Sequence, residues 1–103
     1  MSETQKFIPM AETKELSPMD GPYLLYAPGN SVWLPTWDSG VTTTLEVFNI
    51  DKHNPGQVTV NAGVAREDIF VRAREKRTIT RSWYGVEINV VNTGGPPILV
   101  QTA

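Results

Sequence analysis

The chain has 103 residues, 40% of them hydrophobic and 19% charged, with a formal net charge of −2 and no cysteine. This length supports one domain with a two-layer core, and the missing cysteines exclude disulfide frameworks, thiolate zinc sites and cysteine nucleophiles. No apolar run approaches the roughly 18 residues of a membrane span, and the opening stretch from Met1 to Lys6 lacks the basic head and apolar run of a secretory signal. The expected location is therefore the cytoplasm or a virion.

Residues 1–22 read as an extended N-terminal arm. Phe7, Ile8, Met10 and Leu16 are scattered among charges and Pro9 without helical or strand periodicity, and the stretch closes on Ser17-Pro-Met-Asp-Gly-Pro22, a dense turn signal. All three methionines lie here, and flexible thioethers suit a segment that packs onto an existing surface.

From residue 23 to 103 the pattern is that of short strands. Candidates fall at 23–27, 31–34, 41–50, 57–62, 68–73, 77–84, 86–92 and 97–102, separated by clusters such as Pro28-Gly-Asn30, Asp38-Ser-Gly40, Asn54-Pro-Gly56 and Gly94-Gly-Pro-Pro97. Eight short strands with no competing helix predict an all-β fold, an antiparallel β-sandwich of jelly-roll or immunoglobulin-like connectivity. One pattern occurs twice: Leu45-Glu-Val-Phe-Asn49 followed by Val58-Thr-Val60, and Ile88-Asn-Val-Val-Asn92 followed by Ile98-Leu-Val100. Each copy has alternating apolar residues, an Asn at the strand end and a second alternating strand, which reads as a β-hairpin. Phase predicts that Val41, Thr43, Leu45 and Val47 meet Tyr84, Val86, Ile88 and Val90 across the core. It also leaves Phe48 and Val91 in equivalent outward positions.

Catalytic chemistry has little support. His53 is the sole histidine and sits in a polar turn beside Asp51; no metal-ligating pair, acidic calcium loop or phosphate-cradling glycine loop is present. Glu67 and Asp68 are sequence neighbours that point to opposite faces of a strand and read as rim charges. A non-enzymatic protein without a cofactor is expected.

Two binding patterns remain. Trp33, Trp37 and Asp38, together with Trp83 and Tyr84, offer aromatic faces and a carboxylate of the kind that hold a sugar ring, whereas the same indoles would equally plug the ends of a sandwich. Six of the nine basic residues lie between Arg66 and Arg81. Arg72 and Arg74 share a face of one predicted strand and Arg77 and Arg81 a face of the next, so a hairpin turning near Glu75 would gather a positive ribbon. Residues 1–51 hold seven acidic side chains against two lysines, a balance of −5, so an acidic leading half complements a basic trailing one. With an acidic isoelectric point, nucleic acid is a poor partner for that ribbon. The leading expectation is a structural protein that self-associates into a homo-oligomer, with Phe7, Ile8, Met10, Arg72, Arg74 and Arg77 at the interface, as in a virion or similar assembly. The alternative is lectin-like binding of a carbohydrate or other small ligand.

Overall fold

The computed structural model describes residues 20–103, and Phe7, Ile8 and Met10 lie outside them. Eight strands form: β1 (Asp20–Leu25), β2 (Ser31–Leu34), β3 (Thr43–Asn49), β4 (Gly56–Ala62), β5 (Ala65–Val71), β6 (Lys76–Arg81), β7 (Ile88–Gly94) and β8 (Ile98–Thr102). All pair antiparallel, in a first sheet ordered β1-β8-β3-β6 and a second ordered β2-β7-β4-β5. There is no helix among the described residues, and so none long and apolar enough to cross a membrane.

The alternation seen in sequence builds the core directly. Leu45, Val47, Ile98 and Val100 face inward from the first sheet and Val58, Val60, Ile88 and Val90 from the second, each at most 2% exposed. Burying a side chain such as Leu45 contributes roughly 2 kcal/mol. Val41, Tyr84 and Val86 depart from the expected phase: they lie outside the strands and are 54%, 68% and 46% exposed. Turns at 38–41 and 83–86, closed by Val41 N–H to Asp38 O and Val86 N–H to Trp83 O, end the alternation before it reaches them.

Neither copy of the repeated pattern is a hairpin. β3 belongs to the first sheet and β4 to the second, and β7 and β8 cross in the opposite sense, so each copy is an arch spanning the two layers. Among the described residues only β4 and β5 are joined within one sheet, through Gly63 and Val64. The arches are equivalent. Val47 pairs with Val100 as Val90 pairs with Val60, Asn49 with Ile98 as Asn92 with Val58, and Glu46 with Gln101 as Asn89 with Asn61. An approximate twofold thus exchanges β3 with β7 and β8 with β4, and carries β1 to β5 and β2 to β6. Eight strands in two sheets of this order, changing sheet at every step except from β4 to β5, are a jelly roll, which resolves the connectivity against the immunoglobulin-like alternative.

The expected basic hairpin does not form. β5 and β6 lie in different sheets, and residues 72–75 carry the chain between them. Arg72 and Arg74 sit in that exposed turn, where Arg72 N–H donates to Glu75 Oε1 at 2.8 Å and Arg74 takes a φ of 64°. Arg77 and Arg81 occupy inward-phased positions of edge strand β6 and reach the opposite sheet: Arg77 donates to Phe70 O at 2.9 Å and Arg81 to Glu67 Oε2 at 2.9 Å. A guanidinium on a long stem suits these positions, because its apolar stem covers the sheet edge while its charged head reaches an acceptor on the opposite sheet.

Candidate binding surfaces

The loops 35–42 and 82–87 are clipped together at one end of the sandwich. Gly85 N–H donates to Trp37 O at 2.9 Å, Thr36 Oγ1 to Val86 O at 2.7 Å, and Ser82 Oγ to Gly40 O at 2.9 Å. Gly85 is favoured there, since its φ is +78° and a Cβ would meet the Asp38 carboxylate. This junction brings Trp37, Asp38, Trp83 and Tyr84 to one end, as the sugar-site reading required. It does not leave the indoles open: Trp83 packs against the core and Trp37 is half-buried. Tyr84 and Asp38 stay exposed, and Trp33 stands apart on the outer face of the second sheet, opposite Asn89 and 60% exposed.

Beside this end, the open side between β5 and β6 holds a cleft of about 250 Å³ floored by Val60, Ala62 and Trp83 and rimmed by Arg66, Glu67, Arg81 and Ser82. The Glu67–Arg81 ion pair spans it. Asp68 points the other way, as strand alternation demands, and accepts from Thr59 Oγ1 at 2.7 Å.

The outer face of the first sheet carries a shallow groove of about 200 Å³, lined by Pro22, Phe48 and Leu99 with Glu46, Lys76 and Gln101 at its walls. Phe48 lies between Leu99 and Lys76 in register, and Leu24 continues the apolar strip beyond Leu99. The outward phase of Phe48 is legible in sequence. Leu99 is masked there by its neighbours Ile98 and Val100, which form a continuous apolar run with it.

His53 lies in the loop between β3 and β4, its N–H donating to Asp51 Oδ1 at 2.8 Å. That bond and a second from Asn54 N–H hold the Asp51 carboxyl below the usual carboxylate range. Among the described residues no three His, Cys, Asp or Glu side chains converge as metal ligands would.

These features define an eight-stranded jelly-roll domain whose surfaces are outer sheet faces and one clipped loop end. The chain belongs to a family of unknown function, DUF8244, whose model matches residues 23–103. No curated protein and no solved structure matches it.

Proposed function

We propose that this protein is a self-associating structural domain, in which the groove on the first sheet receives the Phe7–Met10 stretch of a neighbouring copy. The observation that carries the reading is the apolar strip of Leu24, Leu99 and Phe48 on the outer face of the first sheet, where strand alternation ordinarily places polar side chains. The proposed occupant is chosen by chain length and chemistry. Nineteen residues precede Asp20, at most about 65 Å when extended, which is ample to reach an adjoining molecule. They include Phe7, Ile8 and Met10 to fill the groove, and Glu12 and Glu15 as acidic complements to the basic residues Arg72 and Arg74 of the exposed 72–75 turn. Jelly rolls serve both as shell-forming and as sugar-binding domains, so topology alone favours neither.

The test is solution mass by light scattering after size exclusion. The full chain should be a defined oligomer, and both deletion of residues 1–19 and Phe48→Glu should reduce it to a monomer with an unchanged far-ultraviolet spectrum. A full chain that is monomeric at every concentration, or an oligomer that both variants leave intact, overturns the proposal.

A further inference from the structure

We infer that the outer face of the second sheet is a binding platform for a neutral polysaccharide, with Trp33 as its stacking residue. One row crosses all four strands in register: Trp33 opposite Asn89, Asn89 opposite Asn61, and Asn61 opposite Arg66. At strand spacing this row spans about 14 Å, room for a short run of linked sugar rings. The indole lies at one end, 60% exposed, and two amides and a guanidinium follow.

The approximate twofold supplies an internal control. It superposes Trp33, Asn89 and Asn61 on Thr78, Glu46 and Gln101 of the first sheet. There Gln101 Nε2 donates to Glu46 Oε1 at 2.7 Å, so the polar groups satisfy one another and a small threonine suffices at the edge. The fold therefore requires neither an indole nor unpaired amides at these positions. In the second sheet the Asn61 amide makes no side-chain hydrogen bond to another described residue, and Asn89 has a single long one, Nδ2 to Val32 O at 3.4 Å. Planar amides that can donate and accept side by side suit vicinal hydroxyls, and an indole supplies the apolar face on which a pyranose ring stacks.

Charge narrows the ligand class. Arg66 and Asp68 lie 3.7 Å apart on this face and offset one another, so the platform presents no net field to a polyanion. A neutral glycan is the complementary partner. This surface lies on the sheet opposite the groove of the proposed assembly, so either idea can fail without the other.

The experiment is retention of the full chain on insoluble cellulose, chitin, xylan and starch, with immobilised heparin as the polyanion. Retention is expected on at least one neutral polysaccharide, persisting at high salt, with affinity falling roughly tenfold in Trp33→Ala. Asn61→Ala should weaken it several-fold and Tyr84→Ala should leave it unchanged. All three residues are exposed or half-buried outside the core, so their variants should keep the parent urea midpoint. Retention on none of the neutral polysaccharides, retention indifferent to Trp33→Ala, or salt-sensitive binding to heparin alone would each overturn the inference.

Discussion

Asn49 and Asn92 are one residue played twice. Both are fully buried at equivalent register positions of β3 and β7, and each amide nitrogen donates to its own loop and to an outer strand: Asn49 to Asn54 O and Val71 O, Asn92 to Pro96 O and Leu25 O. Each Oδ1 accepts the backbone N–H two residues on, from Asp51 and Gly94. An arch that leaves one sheet for the other takes peptide groups away from the ladder, and a single amide satisfies two groups of its own arch together with one carbonyl of the outer strand.

Removing either amide should therefore cost the same. Asn49→Ala and Asn92→Ala are each expected to lose about 2–4 kcal/mol, because buried carbonyls are left without donors. Urea unfolding checks this: both midpoints should fall by similar amounts with the slope unchanged. A large loss at one site only would show that the equivalence is confined to strand register.

The repeat was visible in sequence, down to its two asparagines, but its meaning was not. Alternating apolar residues, a turn and another alternation describe a hairpin and an inter-sheet arch equally well. Period-2 patterning fixes which face of a strand is buried and says nothing about which neighbour it bonds. The same ambiguity produced the basic hairpin around Glu75, where Arg72 and Arg74 were legible as exposed but Arg77 and Arg81 were not legible as braces between sheets. All eight strands were legible, because Gly, Pro and Asn punctuate most of the joins; the join at 72–75, Arg72-Ala-Arg-Glu75, has none of the three. The Trp33 row was not, since residues 33, 61, 66 and 89 meet only once strand order is known.

The brace from Arg81 to Glu67 is half-exposed on both sides, 49% and 41%, so solvent screens it. A double-mutant cycle through Arg81→Ala and Glu67→Ala should return a coupling below about 1 kcal/mol that shrinks further at high salt. A larger, salt-insensitive coupling would mean that the pair closes the cleft against water.

The loop junction is expected to be less tolerant. Gly85→Ala forces a side chain into positive φ and against Asp38, for a loss of about 1–3 kcal/mol. Combining it with Asp38→Ala should relieve the collision and leave the backbone strain, so the double variant recovers part of the loss in thermal unfolding. Full recovery would assign the whole cost to the collision.

Stability should also respond to acid through Asp51. Its carboxyl is held below the ordinary value of 3.8 by the His53 and Asn54 N–H groups. A depressed folded-state pKa stabilises the fold above the unfolded value, and that contribution disappears as pH falls from about 4 through the folded value. Asp51→Asn should accordingly flatten the stability profile below about pH 4 while changing little of its shape near neutrality. An unchanged acid limb would show that Asp51 titrates alike in both states.

Tyr23 gives the opposite sign at the alkaline end. Its hydroxyl donates to Asp20 Oδ1 at 2.5 Å, and this bond to a carboxylate raises its pKa above the ordinary 10.0. A raised folded-state pKa for a group that is neutral when protonated stabilises the fold below pH 10, and the contribution is lost as pH climbs through the folded value. Because β1 is an edge strand that reaches the sandwich through β8, the loss should appear first as local opening there. Hydrogen exchange at high pH should report faster exchange at β1 than in the β3–β8 pair, and Tyr23→Phe should abolish the extra alkaline sensitivity. Equal sensitivity in Tyr23→Phe would place the alkaline transition elsewhere in the domain.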